Sequence, residues 1–471
     1  MKKYFYITTT LPYVNDSPHI GFAMEIVRAD TIARFYRLLG YEVFFNTGSD
    51  EHGLKIYQKA KEMRQDPQQF CDEKVKAFKK LKEVLNLSYN RFIRTTDPNH
   101  IKAAQEFWRL CLKNGDIYKA KYKIKYCVGC ELEKTDSELV NNRCPIHPNK
   151  EIEIIEEENY FFRFSKYQKA LLKLYQENRQ FVLPYFRLKE LKSFVKKGLK
   201  DFSISRLKEK LPWGIPVPND NKHVMYVWFD ALINYISTLG WPDDIENFKK
   251  FWPGIQIAGK DNLRQQAAMW QAMLMSAGLP TSKQIFIEGF ITHNGQKMSK
   301  SLGNVIDPFL IVKKYGADAL RYYLLKEIPP FEDGDFSETR MKEIYNANLA
   351  NELGNLVSRL TNLAEKDNLI VNIHANYQFS NLTIKQLKNF RFDLVLENIW
   401  QQIKSLNKAL DEFAPWNKES SQRKDFLIEA LKKLNYIGFQ LQPFLPQTAE
   451  KIIKSTQGKI IKTPPLFPKI N

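Results

Sequence analysis

The sequence predicts an α/β protein: a parallel sheet in two halves, separated by an insertion and followed by an all-α domain. Over the first ~115 residues strand-like and helical segments alternate, namely a strand at 4–10, a helix at 18–39, a strand at 41–47 and helical stretches from Leu54 onward. This alternation is typical of a parallel sheet with crossover helices. It returns in the segments HVMYVWFDALINYI, IQIAGKD and KQIFIEGFIT, with a helix predicted over 262–277. Beyond residue 340 no strand pattern is found, and leucines recur at helical spacing.

The insertion differs in composition from the segments on either side of it. It contains basic strand-like stretches, a cysteine cluster, the acidic run EIEIIEEEN and the proline-spaced run LPWGIPVPND. A chain of 471 residues is too long for one hydrophobic core, so several domains are expected. The predicted order is a first half of the α/β domain, an insertion, the second half of that domain, a lysine-loop region and a helical domain, at 1–115, 116–223, 224–290, 291–340 and 341–471.

Charge and cysteine content narrow the class of protein. The net charge of +18 indicates either a polyanionic partner or simply a lysine-rich proteome, and charge alone does not separate the two. Only five cysteines occur, so a disulfide framework is not expected. This favours a reducing compartment, and a cytoplasmic location is expected. No segment is long and apolar enough to span a membrane, and the chain enters a strand too early for a leader peptide.

The start of the first predicted helix, SPHIG, has the chemistry of an anion site. Ser17 is predicted as the N-cap and Pro18 as the first helical residue, which leaves His19 and Gly21 in the first turn. Free backbone N–H groups at a helix start attract phosphate. A histidine there is also compatible with a plain surface position. Neither GxGxxG nor GxxxxGK[ST] occurs, so any nucleotide must be held in another way.

The second candidate phosphate contact is the segment THNGQKMSKSLGN. Lys297 and Lys300 lie there between glycines and beside serines, as expected for a mobile loop that closes over phosphates. Taken alone, such a loop is more typical of a solvated surface turn.

The cysteine cluster CVGCELEKTDSELVNNRCPIH has the spacing of a metal site. Cys127, Cys130, Cys144 and His147 form a C-x₂-C knuckle followed by C-x₂-H, which suits tetrahedral Zn²⁺. Four protein ligands leave no position for substrate, so a structural role is predicted. The alternative is a redox C-x-x-C pair, but the hairpin-like context does not fit a thioredoxin-like helix start.

The motif HIG lies at the first helix, and KMSKS follows beyond the second sheet half. Together and in this order, they resemble the two signatures of class I aminoacyl-tRNA synthetases. The resemblance implies a Rossmann-like catalytic domain in which His19, Lys297 and Lys300 act on the phosphates of ATP, accompanied by Mg²⁺. Thr10, Gly21, Gly259 and Asp261 would complete the ATP site. The chain departs from the family pattern at Phe22, which stands where a second histidine is usual.

The segments TTTLPYVNDSPHIG, NTGSDEHG, YVWFDALINY, AGKD and APW are similar to the methionyl-tRNA synthetase family, in its single-zinc-knuckle form without a C-terminal dimerisation domain. That resemblance implies that Asp50 binds the substrate ammonium and that the methionine pocket is formed by Leu11, Tyr13, Trp228, Ala231, Leu232, Tyr235, Gln266 and Trp270. Core packing is the alternative role of the three aromatic residues 228, 235 and 270. Gln266 and Glu288 stand where histidines are common in the family, and Leu232 stands where a proline is common. The Gln266 amide can still donate a hydrogen bond to the methionine sulfur or to the Tyr235 hydroxyl.

In the helical domain, the same resemblance assigns Asn355, Arg359 and Trp416 to the anticodon of tRNA(Met), with initiator and elongator tRNA both expected as partners. An exposed aromatic plane can stack an unpaired base, and amide and guanidinium groups can reach its edges. Without the resemblance, Asn355 and Arg359 could equally form a capping or ion pair on a solvated helix face.

The function implied is that of a methionine–tRNA ligase, expected to be monomeric and not membrane-bound. The alternatives are a class I enzyme for cysteine, valine, isoleucine or leucine, and a catalytically silent tRNA-binding relative.

Overall fold

The computed structural model describes residues 2–130, 132–134, 138–298, 303–374 and 376–470. Its first part alternates strands and helices as predicted, in the order β1 (Lys3–Thr8), α1 (Ile20–Leu38), β2 (Tyr41–Ser49), α2 (Leu54–Glu62), α3 (Pro67–Val84), β3 (Arg91–Arg94) and α4 (Pro98–Lys113). None of the helices in the described ranges is long and apolar enough to cross a membrane.

The insertion is mainly antiparallel. Its elements are β4 (Ile117–Cys127), β5 (Leu132–Lys134), β6 (Ile152–Phe162), α5 (Gln168–Glu177), β7 (Val182–Leu183), α6 (Tyr185–Lys196), β8 (Phe202–Ser203), β9 (Ser205–Leu207), β10 (Pro216–Val217) and β11 (Asp220–Met225). The basic strand β4 pairs with the acidic strand β6 over their full lengths, so that Lys121 faces Glu158 and Lys123 faces Glu156. Opposite charges directly across a strand pair stabilise it. This pairing explains why a basic and an acidic run occur in the same insertion.

The rest of the chain returns to the sheet and then becomes helical. Its elements are α7 (Val227–Ala231), α8 (Asn234–Ser237), α9 (Ile245–Phe251), β12 (Ile255–Gly259), α10 (Trp270–Ser276), β13 (Gln284–Glu288), β14 (Ile291–His293), β15 (Gln296–Lys297), α11 (Pro308–Tyr315), α12 (Ala317–Lys326), β16 (Gly334–Phe336), α13 (Glu338–Ile344), α14 (Asn355–Lys366), β17 (Ile370–Val371), α15 (Asn381–Lys388), α16 (Phe392–Phe413), α17 (Ser420–Leu441), α18 (Pro446–Ser455) and β18 (Gly458–Lys459).

The central sheet has six strands in the order β3-β2-β1-β12-β13-β7. The pairs β2–β3, β1–β12 and β13–β7 are parallel. Strands from before and after the insertion therefore form one sheet, which confirms the predicted split α/β architecture. The insertion also supplies the edge strand β7, although two residues are too few to show a strand pattern in the sequence.

The sequence prediction differs from the structure in local details. The helix predicted over 262–277 is present, but it begins with a 3₁₀ turn at Lys260–Asn262 and contains a π segment at Gln265–Met269 before α10. A short strand pair, β17 with β18, occurs after residue 340. It was missed because strands of two residues have no detectable alternation.

The chain divides into two compact units. Unit 1 comprises residues 1–17, 42–80 and 89–287, and unit 2 comprises 18–41, 81–88 and 288–471. Unit 1 has a large apolar core that includes the fully buried Trp108 and Trp270. The five domains predicted from the sequence remain a prediction.

In unit 2, the buried Arg321 on α12 connects α1 with the C-terminal helices. Its guanidinium lies 2.8 Å from the carboxylate of Asp30 on α1 and donates hydrogen bonds to the carbonyls of Pro443 and Phe444. Burial by itself would raise the pKa of Asp30, but Arg321 and Arg34 outweigh it, and the pKa is lowered. A buried ion pair of this kind holds α1 in a defined position because breaking it would leave a buried charge unpaired.

Candidate active site

The start of α1 lies two residues later than predicted. The helix begins at Ile20, and His19, not Ser17, is its N-cap, with an extended backbone at φ −117° and ψ 172°. The His19 Nδ1 accepts a hydrogen bond of 3.0 Å from the Gly21 N–H, so the imidazole does what a serine or aspartate oxygen usually does. A neutral ring that accepts at Nδ1 carries its proton on Nε2, which is suited to donate to a phosphate oxygen.

Gly21 is required by this cap. A Cβ at Gly21 would lie 2.8 Å from His19 Cε1 and 2.9 Å from His19 Nδ1, closer than real Cβ contacts. Any larger residue would push the imidazole away from the helix start. The cap formed by His19 therefore requires a glycine two residues later.

Both ends of the lysine segment reach the same helix start. The backbone N–H of Ile20 donates to the carbonyl of Ile306, at 3.0 Å, and Ile291 lies 3.4 Å from the Cβ position of Gly21. His293 Nδ1 and the Asn304 carbonyl, 3.2 Å apart, close the base of the segment. The backbone of Lys297 ends β15, whereas Lys300 lies outside the described residues.

In unit 1, the remaining ATP candidates and three of the methionine candidates follow the carboxyl ends of neighbouring strands. Thr10, Leu11 and Tyr13 follow β1, Asp50 follows β2, and Gly259 and Asp261 end and follow β12. The order β2-β1-β12 makes these strand ends neighbours, and parallel sheets bind ligands at that edge.

Asp50 is buried and its backbone is fixed against the segment after β1. Its N–H donates to the Pro12 carbonyl at 3.0 Å, and its carbonyl accepts from the Val14 N–H at 3.4 Å, so Tyr13 and Asp50 form an isolated parallel bridge. The backbone of the candidate ammonium ligand is therefore held beside that of a candidate pocket wall.

The orientation of Gln266 follows from a chain of buried amides. Its Oε1 accepts from Gln256 Nε2 at 2.8 Å, and its Nε2 donates to the Tyr235 hydroxyl at 2.7 Å. Ser282 bonds to the Gln256 oxygen and to Gln271, which completes the chain. The hydrogen bond from Gln266 to Tyr235, which the sequence analysis allowed, is therefore present.

Gln266 lies in the π segment of this helical stretch. A π turn opens the backbone, and the freed carbonyls need other donors. The carbonyl of Gln266 accepts from Gln271 Nε2 at 2.8 Å, and that of Ala267 accepts from the Tyr175 hydroxyl at 2.5 Å. A second π segment, Tyr345–Gly354, directly precedes Asn355. Such segments often occur at functional sites, a signal that periodicity in the sequence does not contain.

The aromatic candidates lie in and beside the unit 1 core. Tyr235 and Trp270 are buried with ring centroids 6.0 Å apart, and Trp270 stacks on Phe107 at 5.6 Å. Ala231 and Leu232 are also buried, and Trp228 packs against the same cluster half-buried. The indole N–H groups of Trp228 and Trp270 are buried and find no acceptor within the part of the chain that the structure describes. The two tryptophans therefore pack in or against the core and also carry buried N–H donors that a ligand could use.

A buried histidine–carboxylate network was missed by the sequence analysis. Asp230, between Trp228 and Ala231, lies 2.6 Å from His52 Nδ1 and 2.8 Å from His100 Nε2, and His100 Nδ1 lies 2.9 Å from Ser237 Oγ. Burial would raise the pKa of Asp230, but the two imidazoles lower it. The network connects α4, the Asp50–His52 segment and α7. The only sequence signal was a histidine in NTGSDEHG and an acid in YVWFDA, far apart in the chain.

Two departures from the family pattern have local explanations. Glu288 pairs with Arg28 on α1 at 3.0 Å, and both side chains are buried, so its carboxylate is used structurally. Phe22, with 7% of its surface exposed, packs in unit 2 as part of the buried face of α1.

The four zinc candidates converge in unit 1. One ligand atom each of Cys127, Cys130, Cys144 and His147 lies within 4.8 Å of the others. The Cys130 sulfur is 3.2 Å from His147 Nδ1 and 3.4 Å from the Cys144 sulfur. Ligands about 2.0–2.3 Å from a tetrahedral zinc have such separations, so the donor set fits a metal ion. None of the five cysteines forms a disulfide.

The anticodon candidates come together in unit 2. Trp416 is 46% exposed, and the Arg359 guanidinium lies 4.9 Å from its ring centroid. Arg359 Nη2 also donates to Asp411 Oδ1 at 2.6 Å, and Asn355 is exposed one turn earlier on α14. As predicted, the helix before Pro415 ends, at Phe413, and Ala414 adopts a left-handed conformation at φ 46°. This turn presents the Trp416 ring at the surface.

A split parallel sheet, a histidine-capped helix next to a lysine segment, and a helical domain define a class I aminoacyl-tRNA synthetase. The family described as tRNA synthetases class I (M) matches residues 5–153 and 133–361. Methionine–tRNA ligases of Thermosynechococcus vestitus and Rickettsia bellii are 45% and 42% identical, each over 96% of this chain and over 90% and 92% of their own lengths. A solved Mycobacterium tuberculosis methionyl-tRNA synthetase in complex with methionyl-adenylate has a TM-score of 0.92 and 35% identity, covering 99% of this chain and 100% of its own. The chain belongs to the family of methionine–tRNA ligases.

Replacing Gln266 with alanine is expected to raise the methionine KM about tenfold with the ATP KM unchanged. The change removes the amide that holds the hydroxyl of Tyr235, a candidate wall of the methionine pocket, and a hydrogen bond worth about 1.4 kcal/mol corresponds to a tenfold change. Methionine-dependent ATP–pyrophosphate exchange measures both constants. Gln180→Ala, at an exposed position outside this chain of amides, is the matched control; an unchanged methionine KM in Gln266→Ala would contradict the assignment.

Proposed function

We propose that this chain is a methionine–tRNA ligase that works in two steps. Methionine and ATP first give methionyl-adenylate and pyrophosphate. The 2′-hydroxyl of the terminal adenosine of tRNA(Met) then takes the methionyl group and releases AMP. The observation that carries the proposal is the near-complete match, in length and in fold, to methionine–tRNA ligases and to a structure with methionyl-adenylate.

The first step needs positioning and charge stabilisation more than proton transfer. The methionine carboxylate is ionised at neutral pH and attacks the α-phosphorus directly, while the bond to the bridging oxygen of pyrophosphate breaks. Negative charge on the phosphoryl oxygens is stabilised by the His19 Nε2–H, the N–H groups at the start of α1, and Lys297 and Lys300. Mg²⁺ enters with ATP as part of the substrate. Thr10, Gly21, Gly259 and Asp261 hold the rest of the nucleotide.

Methionine selection rests on groups that are fixed before substrate arrives. Asp50 binds the ammonium group. Leu11, Tyr13, Ala231 and Leu232 line the side-chain pocket together with the three aromatic residues 228, 235 and 270. Sulfur is a weak acceptor, and we assign the buried indole N–H groups and the oriented Gln266 amide as its donors. A one-methylene difference is worth about 1–3 kcal/mol, so fixed donors and walls must supply the remaining discrimination.

We assign Zn²⁺ to Cys127, Cys130, Cys144 and His147 as a structural ion. Bound zinc would cross-link the turn after β4 to the turn at Cys144–His147 and so stabilise the insertion. We further propose a monomer in the cytoplasm, with the domain order 1–115, 116–223, 224–290, 291–340 and 341–471, and with Asn355, Arg359 and Trp416 reading the anticodon of initiator and elongator tRNA(Met).

The test is ATP–pyrophosphate exchange with each of the twenty amino acids, followed by charging of tRNA(Met). Exchange with methionine alone, and methionyl-tRNA formation, are expected. Exchange with cysteine or a branched-chain amino acid instead would assign another substrate. No exchange with any amino acid, together with tRNA binding, would indicate a silent relative.

A further inference from the structure

Lys55, in the first turn of α2, contacts both the cysteine knuckle and the segment that carries Tyr13. Its Nζ donates to the Gly129 carbonyl at 3.1 Å and lies 5.3 Å from the centroid of the Tyr13 ring. A hydrogen bond from a cation to a carbonyl and a cation–π contact are both stabilising. A single side chain therefore connects two sites that are far apart in the sequence.

On the knuckle side, the position of the Gly129 carbonyl depends on the metal ligands. Gly129 lies between Cys127 and Cys130 in the turn after β4. A Cβ at Gly129 would lie 2.4 Å from His147 Cγ, so this backbone packs directly against the ring of the fourth ligand. Loss of the metal would release the sulfur and imidazole groups on both sides of the turn, and the carbonyl that Lys55 contacts would lose its fixed position.

On the pocket side, the backbone of Tyr13 is held beside that of Asp50. The two residues form a backbone bridge, with hydrogen bonds of 3.0 and 3.4 Å to Pro12 and Val14. Asp50 is also only five residues before Lys55, and the intervening His52 is held by Asp230 at 2.6 Å. A displacement of the Lys55 ammonium therefore acts on the groups assigned to the substrate ammonium and side chain.

We propose that Lys55 is a positioning residue that couples the metal state of the knuckle to methionine binding. The proposal rests on the proposed function, since it takes Tyr13 and Asp50 as methionine contacts. With zinc bound, Lys55 is anchored on the Gly129 carbonyl and holds the Tyr13 ring in place; without zinc this anchor is lost. Coupling between two binding sites is reciprocal, so methionine must strengthen zinc binding by the factor by which zinc strengthens methionine binding.

The experiment measures both affinities in the full chain. The zinc Kd is obtained by competition with a chelator of known affinity, with and without saturating methionine. The methionine Kd is obtained by equilibrium dialysis of the zinc-loaded and metal-depleted protein. In the unsubstituted chain, each ligand is expected to tighten the other about fivefold or more. In Lys55→Met, which keeps the length of the side chain and removes its charge, this factor is expected to fall to about one.

The controls separate coupling from general damage. Lys59→Met, on the same helix with a side chain 48% exposed and paired with Glu62, is expected to keep the full coupling. Lys55→Gln, which keeps an N–H donor for Gly129 but no cation for Tyr13, replaces Lys55→Met if that variant does not fold. Equal coupling in the Lys55 variants and the unsubstituted chain would overturn the proposal, as would methionine binding that is indifferent to zinc. If the zinc-loaded chain binds no methionine at all, it is the proposed function that fails.

Discussion

Replacing Asp50 with asparagine is expected to lower kcat/KM for methionine by about 30-fold to about 4 × 10³-fold. The buried carboxylate is assigned to the methionine ammonium, and truncating one partner of a buried, hydrogen-bonded charge pair costs about 2–5 kcal/mol. Asparagine has nearly the same volume, so the backbone bridge to Tyr13 is kept and the loss is electrostatic. ATP–pyrophosphate exchange at varied methionine and fixed ATP measures the effect.

Asp243→Asn is the matched control for Asp50→Asn. Asp243 is also an aspartate of unit 1, but its side chain is 60% exposed and its partner is the surface residue Lys102. Exposed ion pairs contribute little, so the exchange kinetics of this variant are expected to be unchanged. A loss in Asp50→Asn that appears equally in the KM for ATP would show that Asp50 acts through the fold and not on the ammonium group.

Replacing Trp416 with alanine is expected to lower kcat/KM for tRNA(Met) charging by about 10-fold to about 10²-fold. Stacking an unpaired base on an aromatic plane is worth about 1–3 kcal/mol, and the Arg359 guanidinium beside the ring adds to the same surface. Methionine activation is expected to be unchanged, because no reacting group of the first step is altered. Paired measurements of tRNA charging and of pyrophosphate exchange on one preparation test the split.

The loop that carries Trp416 is held without its ring, so the variant is expected to fold. Arg423 donates to the carbonyls of Pro415 and Lys418 and pairs with Asp367, whose pKa is lowered first by its hydrogen bond from Arg423. Trp416→Phe keeps an aromatic plane and should retain most of the charging activity. Leu382→Ala, an exposed apolar residue of α15, should retain all of it. An equal loss of exchange and charging in Trp416→Ala would assign the ring a structural role.

Features that depend on short spacing were predicted from the sequence. The alternation of strands and helices was correct because side-chain periods of 2 and 3.6 are local properties. The knuckle was predicted because Cys127 and Cys130 occupy one turn, as do Cys144 and His147. The break at Pro415 was predicted because proline excludes a continuing helix. The family resemblance rested on contiguous motifs of the same kind.

Features that arise where distant segments of the chain meet could be identified only from the tertiary structure. His52, His100 and Asp230 lie on three separate segments of the chain. The residues next to them in the sequence form no pattern that predicts the hydrogen bonds between them. Glu288 could be identified as a structural acid only after Arg28 was found 3.0 Å away. His19 replaced Ser17 as the cap because an imidazole fits over Gly21 once α1 has begun at Ile20. Periodicity predicts which face of a segment is buried. Which other segment packs against that face depends on packing and charge balance over the whole unit.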